Sequence, residues 1–364
     1  MMIRKDSIGM QVFSRIIREG CRCVEKLNSV WQLTMLVLSV GLCFPTMMWA
    51  QGPHDTGTYY EQANGKRGAA LKTALGEIIQ PHVQRSYKDL WEDFKTTDVR
   101  PDGKIWDMYS GVTNYIPGED QNNGTAKKEG DNYNREHSMP NSWFNKEYPM
   151  YTDLHHMYPT DSWINNKRGN EPFGETDAPT YNSEGGFSKL GPARDGLGYE
   201  GTVFEPADEY KGDFARTYFY MVTSYESYVD ADGNHKSVSS WNSTMLARNV
   251  YPALSDWAVE MLLRWSAEDP VSEKELNRNE AVWGIQQNRN PFIDYPGVEQ
   301  LVWGSKKDVA FSYDHYGDPD DGIVQIEMHR QGDGRIYSVS GQRLNSRRLP
   351  RGVYIRNGKK YVVN

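Results

Sequence analysis

Three of the eight histidines lie within a short stretch of the chain, among residues that suit metal-assisted hydrolysis. His137 directly follows Glu136, and His155 and His156 come soon after. A histidine near its ordinary pKa is neutral at pH 7 and can take a proton from water. The carboxylate of Glu136 and the amide of Asn165 offer oxygen ligands, which suit Mg²⁺. A base beside an oxygen-bound divalent cation can hydrolyse a phosphodiester.

Two strands and a helix are predicted to bring these groups together. The first strand covers residues 133–138, and residues 153–158 can pair with it as a second strand. Either Thr160 or Asp161 can cap the amide groups that begin a helix over 162–168. The second turn of this helix then faces back toward the first strand.

The same residues carry a resemblance to a known family. The chain resembles the bacterial endonuclease I family, which lies within the His-Me finger (ββα-metal) nucleases. The resemblance spans roughly residues 57–312 and rests on four blocks: REHSMPNSWF (135–144), DLHHMYPTDSWINNKRGNEPFGE (153–175), FEPADEYKGDFARTYFYM (204–221) and DPVSEKELNRNEAVWGIQQNRNPFIDYP (269–296). It implies that His137 is the general base and that Glu136 and Asn165 are the metal ligands, with Asn166 as the alternative to Asn165, since only one of the two can face inward on the helix.

Further roles follow from positions near these motifs. Some members of the family place an arginine on the scissile phosphate, and Arg168 and Arg216 are the candidates here. Asp153 is expected to anchor the turn before the second strand, and His155 to form hydrogen bonds within the ββα core. The chain has DLHHM where the family commonly has DLHNL, and we expect His156 to be a surface or loop residue.

The rest of the chain predicts an α+β fold, a mostly helical domain around a small ββα-metal core. This catalytic domain is expected over residues 51–312, followed by a linker over 313–325 and a short β-rich tail over 326–364. Hydrophobic spacing predicts further helices over 59–79, 86–94, 207–228, 254–267 and 272–288, and a strand over 104–110.

The N-terminal segment is predicted to be an export signal. Residues 30–44 form a long apolar run, preceded by basic residues and followed by the small residue Ala50. This order is typical of a secretory signal peptide over residues 1–50. The alternative is a membrane anchor, but the run is short for a span of about 20 residues. We expect a protein that is secreted or held at the cell surface, with the periplasm as an intermediate.

The C-terminal tail has a resemblance of its own. Residues 337–363 (YSVSGQRLNSRRLPRGVYIRNGKKYVV) resemble the C-terminal sorting domains of secreted Bacteroidota proteins. The type IX secretion machinery recognises these domains. The resemblance implies that the secretion machinery is a partner. The alternative is a small β-domain that binds polysaccharide or nucleic acid, because residues 330–364 carry nine basic residues and one acid.

The charge balance limits how the chain can hold nucleic acid. The net charge is −8, and residues 51–329 alone carry −19. A protein that coats DNA by neutralising phosphates is usually basic, so the charge argues against that class. A nuclease is still compatible with this charge, since a bound cation supplies positive charge at the phosphate.

The function that these observations predict is a secreted, divalent-metal-dependent endonuclease that acts as a monomer. We expect it to cleave DNA, and RNA is a second candidate substrate. The family resemblance implies little sequence specificity and 5′-phosphate ends. One ion per site is expected, Mg²⁺ or else Mn²⁺ or Ca²⁺. The alternatives are an extracellular ribonuclease of the same fold and a non-catalytic surface protein that binds nucleic acid or polysaccharide.

Overall fold

A computed structural model describes residues 52–122 and 126–315, together with the backbone of four strands between residues 336 and 363. The predicted signal segment over 1–50 and most of the predicted linker lie outside these residues. Helices and small sheets share the described chain, which confirms the predicted mixture of the two. Among the helices that the structure describes, none combines the length and apolar character needed to cross a membrane.

The elements are numbered here in chain order. The helices are α1 (Gly68–Ile79), α2 (Leu90–Thr97), α3 (Ser162–Arg168), α4 (Lys211–Ser224), α5 (Asp256–Glu268), α6 (Glu273–Gln286), α7 (Pro291–Asp294) and α8 (Val298–Val302). The strands are β1 (Tyr133–His137), β2 (Met157–Asp161), β3 (Tyr181–Asn182), β4 (Lys189–Pro192), β5 (Thr202–Glu205), β6 (Tyr228–Val229), β7 (His235–Lys236), β8 (Ile336–Ser338), β9 (Arg343–Leu344), β10 (Gly352–Arg356) and β11 (Lys359–Val363).

The strands form four small antiparallel sheets. β1 pairs with β2, β6 pairs with β7, and β3, β4 and β5 form a three-stranded sheet in sequence order. The strands of the C-terminal tail form a sheet in the order β11-β10-β8-β9. Sheets this small depend on neighbouring helices for burial, so the helical packing carries the stability of the strands that hold the site.

The core joins helices from distant parts of the chain to the second strand. Every residue of α4 is buried. An apolar cluster packs α2 and α6 against β2 and the turn before it. Its members are Leu90, Phe94, Leu154, Met157 and Val282. Because burial of apolar surface is the main favourable term in folding, this cluster is what holds β2 in place.

α3 begins at the residue that directly follows β2. His137 lies opposite Met157 in the antiparallel register. β2 begins later than the sequence predicted, because residues 153–156 form a turn in which the Asp153 carbonyl accepts hydrogen bonds from His156 and Met157. Asp161 ends β2 and caps α3: its Oδ1 accepts a hydrogen bond of 2.9 Å from the N–H of Ile164.

Two predicted elements differ from the structure. Residues 104–110 do not form a strand, because the Asp107 carboxylate accepts the backbone N–H groups of Tyr109 and Ser110 (2.9 and 3.3 Å) and folds this segment as a turn. The predicted helix over 59–79 is broken, since Gly65 and Gly68 adopt positive φ values of 74° and 50°. The regular helix therefore starts at Gly68.

Candidate active site

The antiparallel pair and α3 place alternate side chains of β1 against one face of α3. Asn134 and Glu136 share one side of the strand, and Asn165 and Arg168 lie one turn apart on the helix. The Asn165 side-chain amide donates a 2.9 Å hydrogen bond to Oδ1 of Asn134, and Arg168 pairs with Glu136 at 2.5 Å. The strand and the helix thus meet through polar contacts.

Glu136 lies almost buried at the centre of this contact, with 5% of its surface exposed. Its Oε1 atom accepts hydrogen bonds from the Tyr109 hydroxyl (2.7 Å) and from Nη1 of Arg168. Burial raises the pKa of the Glu136 carboxyl, while Arg168 and hydrogen bonds from Tyr109 and Asn165 oppose that shift. Since both strong donors contact Oε1, Oε2 is the carboxylate oxygen that can turn to a cation.

His137 follows on the same strand and is held in one orientation. Its Nε2 lies 3.0 Å from the backbone carbonyl of Tyr151. A carbonyl can only accept, so Nε2 carries the proton and Nδ1 keeps its lone pair. The amide of Asn141 contacts Nδ1 at a longer distance, 3.3 Å. His137 is 6% exposed, and burial lowers its pKa to about 3, so the ring is neutral at neutral pH.

His156 lies in the turn before β2, as one of the two predicted alternatives had it, but it is not at the surface. This histidine is fully buried, and its ring centre lies 5.6 Å from that of His137. Its Nε2 contacts the Met150 carbonyl at 2.6 Å, and burial lowers its pKa to about 4. The two imidazoles therefore hold the carbonyls of consecutive residues, Met150 and Tyr151, in one 3₁₀ turn. The signal that the sequence offered is the apolar Met157, which directly follows His156.

Asp153 joins the turn before β2 to the helical core. Its Oδ2 accepts hydrogen bonds of 2.7 Å from the hydroxyls of Tyr220 and Tyr225. Its Oδ1 accepts the N–H of His155 at 2.9 Å and the side-chain amide of Gln286 at 3.0 Å. The carboxylate is fully buried, and four donors surround it, from α4, from the residue that follows α4, from α6 and from the turn itself.

His155 packs into the helical part of the protein. Its Nε2 lies 3.3 Å from the carbonyl of Asn288, and its ring centre lies 4.4 Å from that of Tyr220. Burial lowers its pKa to about 4, so it is neutral at neutral pH. These contacts tie the segment after α6 to the turn that precedes β2.

The structure gives Arg168 no exposed face for a phosphate. Its side chain is 1% exposed. Besides Glu136, it contacts the Tyr109 hydroxyl through Nη1 and the Ser138 carbonyl through Nη2, each at 2.7 Å. The guanidinium contacts Glu136, where it orients that carboxylate and opposes the rise of its pKa, so its position differs from the predicted contact with the scissile phosphate.

Arg216 is likewise buried in an ion pair away from these residues. Its guanidinium forms two hydrogen bonds with the Glu275 carboxylate (2.6 and 2.9 Å) and a third with the Asp269 carbonyl (2.9 Å). These contacts join α4 to the start of α6. A side chain with 1% exposure and this partner does not reach a substrate in this structure, contrary to its prediction as a phosphate contact.

The residues present fit a hard divalent cation. Glu136 supplies an anionic oxygen, and the amides of Asn165 and Asn134 lie beside it. Across residues 52–122 and 126–315, no three His, Cys, Asp or Glu side chains converge as a metal site. A cation at this position would therefore take its remaining ligands from water and substrate. Sequence reasoning missed Asn134 and Tyr109, although Asn134 lies two residues before Glu136 on the same face of β1.

Known proteins share this part of the chain. A family model described as Endonuclease I matches residues 67–297, which include all the predicted site residues. The chain is 36% identical to an extracellular ribonuclease of Bacillus amyloliquefaciens over 258 residues, 68% of this chain and 79% of that protein. It is 34% identical to an extracellular ribonuclease of Bacillus subtilis (strain 168) over 257 residues, with the same shares.

A more distant relative bears the name of the family itself. Endonuclease-1 of Buchnera aphidicola subsp. Baizongia pistaciae is 25% identical over 142 residues, 39% of this chain and 46% of that protein. The resemblance drawn from the four sequence blocks is confirmed by the family match. The chain belongs to the endonuclease I family, and is a nuclease of the hydrolase class.

Proposed function

We propose that this chain is a secreted, divalent-metal-dependent endonuclease in which His137 is the general base. The observation that carries the proposal is the 3.0 Å contact between Nε2 of His137 and the Tyr151 carbonyl. It leaves the Nδ1 lone pair as the proton acceptor of a neutral ring. Glu136, adjacent on β1, and Asn165, across from it on α3, supply the metal ligands.

The reaction then follows from the positions of these groups. We propose that the attacking water takes the place near Nδ1 of His137 where the Asn141 amide now lies. Nδ1 accepts a proton from that water while its oxygen bonds to phosphorus. The bond to the 3′ oxygen breaks, and the leaving oxygen takes a proton from solvent, so that the products carry a 5′-phosphate and a 3′-hydroxyl.

A divalent cation supplies charge neutralisation for the phosphate and the leaving oxygen when bound. Nucleases of this family generally depend on such a metal. We propose one Mg²⁺ ion, with Mn²⁺ or Ca²⁺ able to use the same oxygen ligands. Arg168 supports the site, because its guanidinium orients Glu136 and opposes the rise that burial causes in the pKa of that carboxyl.

The substrate is proposed to be nucleic acid of either kind, with little sequence preference. The base and the metal act on water and phosphate, and neither role requires a 2′-hydroxyl. DNA was expected from the family resemblance. RNA gains support from the two relatives of 36% and 34% identity, both of which are named extracellular ribonucleases.

Export is part of the proposal. The names of these relatives support a secreted protein. We propose that residues 1–50 are removed as a signal peptide and that residues 326–364 direct type IX secretion. Mass spectrometry of the protein from culture medium tests both, since it reports the first and last residues of the mature chain. An intact residue 1 in the exported protein would contradict the first proposal.

Parallel digestion of plasmid DNA and ribosomal RNA, with Mg²⁺ and with EDTA, tests the activity. We expect cleavage of both in Mg²⁺ and of neither in EDTA. His137→Ala should reduce the rate by about 10²–10⁴-fold while its circular dichroism spectrum matches the wild type. Binding to nucleic acid without metal-dependent cleavage by the wild type would favour the non-catalytic alternative.

A further inference from the structure

Three half-buried tyrosines, Tyr87, Tyr148 and Tyr151, form a tyrosine rim beside His137. The Tyr151 ring centre lies 4.7 Å from that of His137, and the Tyr148 ring continues the row 5.3 Å beyond Tyr151. Tyr87 stacks nearly parallel to His137, with an interplanar angle of 15°. All three residues keep part of their surface exposed, while the Arg135 guanidinium lies over the Tyr87 ring, 3.6 Å from its centre.

A cavity of about 240 Å³ opens at the far end of the rim. Tyr148 and Pro149 form one wall, and Gln80, Gln84, Val229 and Ala231 contribute to the others. The lining thus combines an aromatic ring, an exposed apolar side chain, two side-chain amides and the imidazole of His82. Asp230 also borders the cavity, but its carboxylate is paired with Lys236 at 3.0 Å.

This combination suits a nucleobase better than a phosphate or a sugar. Bases stack on aromatic rings whatever their sequence, and their polar edges pair with amide donors and acceptors. The cavity lining includes no lysine or arginine that would mark a phosphate site. The row from His137 through Tyr151 to Tyr148 leads from the proposed reaction centre directly to the cavity.

We propose that the tyrosine rim and the cavity bind an unpaired base of the substrate, close to the scissile phosphate. In a duplex the bases are paired and stacked, so they cannot enter the cavity without being extruded at a cost in free energy. The enzyme therefore prefers single-stranded DNA and RNA to duplexes of the same sequence. This inference rests on the proposed nuclease function and specifies the form of its substrate.

The test combines variants with modified substrates. Tyr148→Leu removes the ring, and Tyr148→Phe keeps it. Ala231→Glu adds a negative charge in an exposed turn of the cavity wall, where it does not disturb the core. Tyr199→Leu is the matched control, because Tyr199 stacks on Trp257 and belongs to neither the rim nor the cavity.

Steady-state cleavage is measured on single-stranded and duplex oligonucleotides, as DNA and as RNA, that share one sequence and contain a single cleavage site. A second set of single strands carries one abasic nucleotide at successive positions around that site. We expect Tyr148→Leu to lower kcat/KM on single strands about 10-fold, mainly through KM, and Tyr148→Phe, which keeps the ring, to lose less, while Tyr199→Leu stays near wild type. Ala231→Glu should also raise KM on single strands.

The abasic set locates the base. At one position the abasic nucleotide should weaken wild-type cleavage but have little further effect on Tyr148→Leu, because ring and base are lost together. Additive losses at every position, or equal losses on duplex and single strand, would overturn the inference. Failure of the wild type to cleave any substrate, or full activity of His137→Ala, would instead refute the proposed function.

Discussion

Nε2 of His137 lies 3.0 Å from the main-chain carbonyl of Tyr151, and this contact determines which nitrogen of the ring can act as a base. The next carbonyl toward the N-terminus, that of Met150, is held by His156. One short turn therefore connects the two imidazoles, and the orientation of the proposed base depends on how firmly this turn is held.

His156 is expected to act as a positioning residue for His137. His156→Leu removes the donor to the Met150 carbonyl, whereas His156→Gln offers an amide near the position of Nε2. We expect kcat to fall about 10-fold or more in His156→Leu, as it does when other groups that orient a functional side chain are removed. In His156→Gln, kcat should return toward the wild-type value. The pH profile of kcat should also change in the leucine variant. Equal activity and unchanged profiles in both variants would contradict this role.

Glu136 and Asn165 are expected to control metal affinity. Glu136→Gln and Asn165→Ala each remove a proposed oxygen ligand, and the Mg²⁺ concentration for half-maximal cleavage should rise at least about 10-fold. The control is Asn166→Ala, since Asn166 is exposed on the same helix and should leave the requirement unchanged. Titration of activity with Mg²⁺ measures the effect. A shift in the Asn166 variant with none in Asn165 would reverse the assignment.

Arg168 is expected to stabilise the protein through Glu136. Arg168→Met leaves a buried carboxylate without its partner, which should lower the free energy of unfolding by about 3–5 kcal/mol. Urea denaturation measures the loss, and Glu136→Gln combined with Arg168→Met should recover part of it. If Arg168 instead contacted the phosphate, the variant would keep wild-type stability and raise KM.

Arg216→Met is the matched comparison for Arg168. It breaks an equally buried ion pair, with Glu275, and should cost a similar free energy of unfolding. Because this pair joins α4 to α6, we expect the folded fraction to keep its kcat. If Arg216→Met instead lost kcat while its free energy of unfolding stayed at the wild-type value, the original prediction of a phosphate contact would be supported.

Stability should fall as the pH drops below 6.5, because buried histidines resist protonation. The pKa values of His155 and His156 are lowered to about 4, and that of His137 to about 3, in each case mainly by burial. Between these values and 6.5 the unfolded chain binds more protons than the folded one, so acid favours unfolding. Above pH 6.5 all three are neutral in both states, and this contribution stops changing.

Urea denaturation of the wild type and of His156→Gln at pH 7 and pH 4.5 checks this expectation. Glutamine does not titrate, so the variant should lose about 2 kcal/mol less than the wild type between the two pH values. Equal losses would mean that His156 is protonated as readily in the folded protein as in the unfolded chain.

Local features of the site followed closely from the sequence. Adjacent residues on a strand, such as Glu136 and His137, are set by the backbone, and Asp161 caps the helix that carries Asn165 through a bond three residues away. The predicted strand over 104–110 failed for an equally local reason. Asp107 captured backbone amides that a strand would have used, and hydrophobic alternation alone did not reveal that competition.

Contacts between distant segments were not predictable in this way. Tyr109 reaches Glu136 from 27 residues upstream, and Arg168 turns inward to the same carboxylate. His156, expected at the surface or in a loop, lies in a turn that is buried beside His137. Burial depends on which segments pack over a residue, and periodicity along one segment does not contain that information.

The sequence by itself determined the family, the order of strand and helix around the site, and the residue types able to bind a cation and accept a proton. These depend on short-range geometry and on motifs that are complete within single segments. The tertiary structure alone decided which charged groups are buried as pairs and which nitrogen of His137 keeps its lone pair. Those outcomes depend on desolvation and on partners contributed by distant parts of the chain.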